Sequence, residues 1–510
     1  MVECNLKKLL EDLEVEKVLG DLPEEITGLH YHSGHIKEGN LFVAIPGEKV
    51  DGHTYIKDAM ARGARVVLGS QKTDLPIAQI LVKDPRRALA KISASYFNHP
   101  SEKFTLVGIT ATNGKTSTAF LLNHILQEAG QKTGLIGTVK VAYPGFSEAS
   151  ILTTPQSYDL QKHFYHMAQA GIDTCVMEVS SSAQELERVV ACDFDLVSFH
   201  NLSREHIDQH GSFENYYRQK KKLVTEAKEE ALVLLNEDEN LLKKLKEETQ
   251  GQVLNLSFEG DPEADVLYKD LDLSTGLGAY KYQLKKDFSF QGREIHPVEF
   301  KIHLASPGYS SVMNSLVAAT EALALGVDPK TIQEALGSFK GVERRFEKVV
   351  SQPFIVLDDH FANVKNIETT MSTLKAMDFK DLVMAYAIRG NRGVHLNEET
   401  SQRMASLLKD LPLKGLFVSL SQDVTGEKDQ VSEEEREIFI KTMKAAGISF
   451  QLYDTLKETV KEALELVEEG DVLLLAGCQG MDKGAKILLD LKDGRIDQEA
   501  LSQQIENRSC

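Results

Sequence analysis

Cysteine is sparse and unpatterned in this chain of 510 residues: Cys4, Cys175, Cys192, Cys478 and Cys510 are scattered, odd in number and never spaced C-x-x-C. A disulfide framework and a zinc-thiolate centre are therefore not what organises it. Proline is scarce as well, 13 in all, and no low-complexity tract occurs. No apolar run approaches the ~18–20 residues needed to span a bilayer. The opening MVECNLKKLLEDLEVEKVL reads as an acidic amphipathic helix without the apolar centre of a signal peptide, which favours the cytoplasm. Net positive charge is missing too. At −19 the chain disfavours nucleic acid and anionic membrane surfaces as partners. Any polyanionic ligand must be held by local basic groups and cations against the overall field.

What remains is a globular composition, 42% hydrophobic and 26% charged, at a length that suggests roughly three domains. The stretch that organises the chain is Phe104 to Gly130, FTLVGITATNGKTSTAFLLNHILQEAG. A β-branched apolar run reads as a buried strand, Thr112-Asn113-Gly114-Lys115-Thr116 as a tight turn, and Ser117 to Ala129 as an amphipathic helix ending at Gly130. Strand, Gly-Lys-Thr loop and helix make a phosphate cradle. Backbone N–H groups at the helix start face a polyphosphate, Lys115 adds a point charge, and the Thr116 hydroxyl can sit on Mg²⁺.

Around this stretch strands alternate with helices. Residues 1–100 read as a small α/β domain, with strands at Asn40 to Ile45 and Arg65 to Leu68 and a helix from Pro85 to Phe97. Residues 101–340 form a central domain, whose strands Thr133 to Val139, Asp173 to Glu178 and Asp195 to His200 imply a mostly parallel sheet with ligands at its carboxyl edge. Residues 251–303 alternate with period two and suit an antiparallel addition, and Ser311 to Ala324 is a long apolar helix. Residues 341–510 read as a second doubly wound unit, with strands near Phe354, Leu382, Leu416 and Asp471. The charged helix Ser432 to Ala446 and the segment Lys457 to Glu468 read as solvated surface.

The loop does not have the usual G-x-x-x-x-G-K-[ST] spacing, since Ile109 stands where the first Gly would fall. Its T-x-T-N-G-K-T form resembles instead the ATP loop of the Mur ligases and folylpolyglutamate synthases, with Ala111 where Gly is usual. GNLFVAIPGEKVDGHTYIKDAMARGARVVL resembles the N-terminal, uridine-nucleotide-binding domain of the Mur ligase that adds the third peptide residue. There the family's Asp-Ser-Arg is replaced by His32-Ser33-Gly34, which retains only Ser33. The resemblance implies an α/β protein of three domains, a central P-loop ATPase-like parallel sheet and a C-terminal doubly wound domain. It implies ATP and two Mg²⁺ sites as cofactors, and a UDP-sugar peptide and an amino acid as small-molecule substrates.

Carried over residue by residue, the resemblance places ATP on Thr112, Asn113, Gly114, Lys115, Thr116 and Ser117. Asn314 would read adenine, Arg345 the phosphates and Asp358 the ribose. Glu178, opening Glu178-Val179-Ser180-Ser181-Ser182-Ala183, would ligate the first metal beside Thr116. His206 in Glu205-His206-Ile207-Asp208-Gln209-His210-Gly211 would ligate the second. Lys220, with Lys221 as the register alternative, would be carboxylated by CO₂ into a carbamate metal ligand. Ser33, Thr153, Thr154, Ser180, Ser181 and Arg188 would hold the nucleotide-sugar peptide, and Arg392 the incoming amino acid.

The C-terminal domain reads as diverged. Asp-Tyr-Ala-His-x-Pro becomes Asp358-Asp359-His360-Phe361-Ala362-Asn363, and Gly-Gly-Asp-Arg-Asp becomes Arg389-Gly390-Asn391-Arg392-Gly393. The diaminopimelate signature Asp-Asn-Pro-Arg would fall at Ser421-Gln422-Asp423-Val424, which has no Arg. The expectation is an ATP-dependent amide-bond ligase acting on a UDP-N-acetylmuramoyl peptide through an acyl phosphate. Alternatives are a diverged ligase joining a different amine and carboxylate, or a silent nucleotide-binding homologue.

Overall fold

The computed structural model describes residues 4–47, 50–205 and 207–506. By its internal contacts the chain divides into two compact units, Met1–Ala111 with Ala129–Leu254, and Thr112–Glu128 with Asn255–Cys510.

In the first unit a five-stranded sheet runs in the order Val15–Leu19, Ala78–Val82, Val66–Gly69, Leu41–Val43 and Leu29–His30. Its first pair is antiparallel and the rest are parallel. Met1–Glu3 of the N-terminal helix expected from the sequence lie outside the described residues, among which that helix is confined to Leu6–Leu9, capped by the Asn5 side chain accepting from the Lys8 N–H. Beyond it Val15–Leu19 is a strand. β-branched Val15 and Val18 find a sheet edge at Ala78–Val82, and strand pairing overrides a weak helical periodicity. Helix Pro85–Tyr96 starts as expected, with Pro at its first turn and Asp84 accepting from the Arg86 and Arg87 N–H groups at 2.9 and 3.2 Å.

The strand leading to the phosphate loop, Thr105–Thr110, lies between Thr174–Glu178 and Leu196–Phe199, in a parallel array extended by Thr133–Ile136 on one side and Leu232–Asn236 on the other. An antiparallel hairpin, Lys140–Tyr143 with Phe146–Ala149, closes the Thr133–Ile136 edge. Parallel strands buried on both faces explain the unbroken apolar runs. Phe104, Leu106, Phe164, Met177, Phe194 and Phe199 belong to one core cluster here.

In the second unit the loop helix Lys115–Glu128 packs on Tyr309–Ala324 and Pro329–Ser338. Val266–Asp272, Leu277–Leu284 and Val298–Pro307 pair antiparallel, as their alternation predicts. A six-stranded sheet follows in the order Glu347–Val350, Ile355–Asp359, Val472–Ala476, Leu382–Ala387, Leu413–Ser419 and Gln451–Tyr453, parallel except at its first pair. The charged helix Glu433–Ala446 is not all solvated surface: Phe439, Met443 and the carboxylate-bearing Glu435 are buried.

Phe164 has no exposed surface and meets Phe104 edge to face, with ring centroids 5.7 Å apart. Phe164→Ala should destabilise this unit by about 3–5 kcal/mol, read from the shift of its urea midpoint. A shift under about 1 kcal/mol would mean that the cavity collapses or that the ring contributes little.

Candidate active site

The loop begins where Thr105–Thr110 ends. Gly114 has φ +88°, a conformation that only glycine adopts without strain, and its carbonyl accepts from the Thr118 N–H at 2.9 Å. The backbone therefore turns sharply and delivers the first N–H groups of the loop helix outward. The Lys115 ammonium folds back on the Thr112 carbonyl at 3.2 Å, and Thr116 is buried. Asn113 forms a reciprocal amide pair with Asn363, whose Nδ2 donates to Asn113 Oδ1 at 3.0 Å.

In the first unit a polar knot forms at the carboxyl end of Thr174–Glu178. Glu178 is fully buried; its Oε1 accepts the Thr138 N–H at 2.7 Å and its Oε2 the Thr138 hydroxyl at 3.1 Å. A Cβ on Gly137 would collide with this carboxylate, so glycine is what lets the chain pass. Thr154 donates its hydroxyl to the Glu178 carbonyl at 2.8 Å and accepts the Ser180 N–H at 3.2 Å, while Arg188 Nη1 donates to the Thr154 carbonyl at 2.9 Å. Thr153 reaches the same knot through the Thr138 hydroxyl at 3.1 Å. Thr153, Thr154, Glu178, Ser180 and Arg188 are thus brought together. Thr154 is wholly buried and builds the knot rather than facing a ligand.

Ser181, just inside the next helix, meets His210 Nε2 at 2.9 Å, and His210 Nδ1 lies 3.0 Å from Glu185. His206 lies outside the described residues. Of the three consecutive lysines, Lys220 turns inward: it is 2% exposed, packs on the Tyr216 ring, and donates to the Ala111 carbonyl at 2.6 Å. Lys221 and Lys222 point instead to Glu248 and Glu187. Lys220 therefore touches the residue that opens the phosphate loop.

Beside the knot lies a cavity of about 810 Å³. Its wall combines His30, Tyr31, His32 and His35, the hairpin residues Tyr143 and Phe146, segment 150–152 with Pro155 and Gln156, and Asp159, Lys162, His163 and His166 of the helix Ser157–Gln169. The Tyr31 hydroxyl donates to Asp159 at 2.6 Å. Burial, together with the neighbouring His35, His32 and Lys162, lowers the His30 pKa to about 4. Ser33 is not part of this wall. It is buried and bonded to Asp58, and the imidazoles flanking it face the cavity instead. Sequence reading overlooked these histidines, whose signal was the clustering HYHSGH and the i, i+3 pair His163 and His166.

In the second unit Asn314 is buried on the helix that packs against the loop helix. The Arg345 N–H donates to the Val342 carbonyl, and its guanidinium reaches the Arg344 carbonyl at 3.3 Å. Asp358, expected at the ribose, faces a protein partner. It is fully buried and accepts from Arg344 Nε at 3.2 Å, because alternation along the strand turns it to the opposite face from Asp359. Arg344 also binds Asp482 and the Gly477 carbonyl. Arg392 stands in the loop before Val394–Leu408, its side chain 34% exposed. Asp423 accepts from the Leu456 and Lys457 N–H groups and so caps a helix.

Residues 25–97, 109–322 and 344–479 match three family models, described as Mur ligase family, catalytic domain; Mur ligase middle domain; and Mur ligase, glutamate ligase domain. A UDP-N-acetylmuramoyl-L-alanyl-D-glutamate–2,6-diaminopimelate ligase of Clostridium perfringens is 31% identical over 510 aligned positions, covering 96% of each chain. The chain belongs to the Mur ligase family. A ligase of the same name from Halalkalibacterium halodurans is 32% identical and also covers 96% of each chain. Among solved structures, one of a ligase with that name superposes with a TM-score of 0.67 at 18% identity, covering 93% of both chains. The MurF ligase of Thermotoga maritima in complex with ADP gives 0.63 at 20%, covering 93% of this chain and 98% of its own. This Mur ligase thus has the expected mixed α/β fold and is an ATP-dependent acid–amino-acid ligase. The expectation of a diverged C-terminal domain is corrected, since residues 344–479 match the family's own domain model despite the replaced motifs.

The His30 shift has a sign that can be tested. Between pH 6.5 and about 4 the unfolded chain binds a proton that folded His30 refuses, so stability falls as pH is lowered through that window. His30→Phe should flatten the fall in melting temperature there; an unchanged slope would show that His30 is not held neutral.

Proposed function

We propose that this Mur ligase adds an amino acid to a UDP-N-acetylmuramoyl peptide in cytoplasmic peptidoglycan precursor synthesis. The observation that carries this reading is the polar knot. It ties Glu178, on the strand beside the loop strand, through Thr154 to the segment that walls a cavity large enough for a sugar peptide. The muramoyl peptide would lie along His30 to His35 and Ser150 to Gln156, near Ser180, Ser181 and Arg188. The names of the relatives support that substrate class.

In the reaction, an oxygen of the acceptor carboxylate attacks the γ-phosphorus of ATP in line, ADP leaves, and an acyl phosphate forms. The amine nitrogen then attacks the acyl carbon, the C–O bond to phosphate breaks, and amide and inorganic phosphate are released. Thr112 to Ser117 cradle the polyphosphate, with Lys115 moving from the Thr112 carbonyl to the transferring oxygens. Asn314, Arg345 and the C-terminal domain complete the nucleotide site.

The family resemblance assigns two cation sites, Thr116 and Glu178 to one and His206 with a carboxylated Lys220 to the other, and oxygen donors of this kind suit Mg²⁺. Burial of Lys220 against Tyr216, at the carbonyl of Ala111, supports it over Lys221 as the modified residue. Bound Mg²⁺ would supply charge neutralisation at the phosphoryl group.

Arg392 would take the α-carboxylate of the incoming amino acid. A second reading, a different amine from that in the relatives' names, is favoured by Asp423. It caps a helix where a diaminopimelate site would need a bidentate arginine.

The test is ATP-dependent phosphate release with UDP-N-acetylmuramoyl-L-Ala-D-Glu over a panel of amines that includes diaminopimelate and lysine. Release should require both the muramoyl peptide and one particular amine. Lys115→Ala should lower kcat at least about a hundredfold; a fully active variant would sink the mechanism. Release with diaminopimelate would remove the second reading, and release with no amine on the panel would remove the first.

A further inference from the structure

Glu435 carries a carboxylate with an unusual set of partners. It is 1% exposed, on the helix Glu433–Ala446, and every hydrogen bond it accepts comes from an amide. Oε1 accepts the Arg392 and Gly393 N–H groups, both at 2.8 Å, and Asn397 Nδ2 at 3.3 Å. Oε2 accepts the N–H groups of Asn391 at 3.0 Å and Ser432 at 2.9 Å. Burial alone would raise its pKa, yet the N–H donors of Ser432, Arg392, Asn391 and Gly393 hold it below the ordinary glutamate value.

The loop is shaped for this. Asn391 at φ +54° and Gly393 at φ +87° flank Arg392 and turn three successive N–H groups inward. Such a concavity is an anion nest, and here the protein fills it with its own carboxylate. The Arg392 side chain leaves this nest 34% exposed, with Nη1 donating to the Asn391 carbonyl at 3.3 Å. Its guanidinium lies 3.6 Å from Asp429, a long ion pair that another carboxylate can displace. The near end of the loop is fixed too, by Arg389 Nη1 on the Ala362 carbonyl at 2.9 Å and Asn397 Nδ2 on the Arg389 carbonyl at 3.0 Å.

We propose that Glu435 is a positioning residue for amine selection: by filling the nest it holds Arg392 where the α-carboxylate of the incoming amino acid must dock. This rests on the ligase reading above. A rigid loop spares the substrate the entropy of ordering Arg392, so the effect belongs in the affinity for the amine rather than in the affinities for ATP or the muramoyl peptide.

The test is E435Q, which keeps the shape but turns one acceptor oxygen into a donor facing N–H groups. Three KM values are compared in wild type, E435Q, R392A and the double variant, with amide hydrogen exchange at 391–393 followed alongside. Exchange there should quicken in E435Q. The amine KM should rise about tenfold, the scale of one charge-assisted hydrogen bond, while the other two KM values stay within about twofold. In the R392A background E435Q should add nothing to the amine KM. Unchanged exchange overturns the proposal, as does an unmoved amine KM, a parallel rise of all three values, or a full E435Q effect without Arg392. Wild-type protein with no amine-dependent turnover would instead overturn the ligase reading, and this proposal with it.

Discussion

A carboxylate with no exposed surface is costly unless donors or cations surround it, and Glu178 imposes that demand at the centre of the first unit. The chain meets it by running Gly137 and Thr138 across the end of the strand, where backbone and hydroxyl both donate. The Glu178 carbonyl fixes Thr154, Thr154 fixes Ser180, and Arg188 fixes Thr154 from the other side. Cavity wall and strand end are therefore not independently adjustable. A change that displaces Glu178 would be felt by the residues that wall the cavity.

The strand Thr105–Thr110, the helix Lys115–Glu128, the parallel strands of the first unit and the antiparallel insertion were legible because each rests on a local signal: unbroken apolar runs, period two, or a Gly-Lys-Thr turn between strand and helix. The helix expected at the N-terminus is too long because Leu6, Leu9, Leu10 and Leu13 imitate a helical stripe that ends, among the described residues, after Leu9. The strand Val15–Leu19 depends on a partner more than sixty residues away in the chain. Glu435 was hidden for the same reason. Among Glu433, Glu434, Glu435 and Glu437 it is indistinguishable by composition, and its partners near Asn391 lie some forty positions upstream. Asp358 and Asp359 show a finer limit: adjacent carboxylates on a strand face opposite ways, and the sequence does not say which faces which set of partners.

Asp359 accepts the Phe346 N–H at 2.9 Å and the Thr370 hydroxyl at 2.8 Å, while Asp358 joins Arg344. Arg344 and Phe346 have φ of +55° and +52°, on either side of Arg345. The bend that presents Arg345 is therefore strained locally. It is stabilised by buried contacts of its neighbours to the strand Ile355–Asp359 and to residues 477–482. Buried side chains around Arg344 and Asp359 thereby determine where Arg345 points.

The amide pair between Asn113 and Asn363 carries a consequence of its own. Asn363 Oδ1 also accepts the Asn366 N–H at 3.0 Å, so one residue both caps the helix Val364–Ala376 and grips the phosphate loop. The linkage is uncharged, so neither ionic strength nor pH near neutrality loosens it, unlike a surface ion pair. It behaves as a mechanical joint: a shift of the loop pulls on the terminus of the helix Val364–Ala376 through two hydrogen bonds.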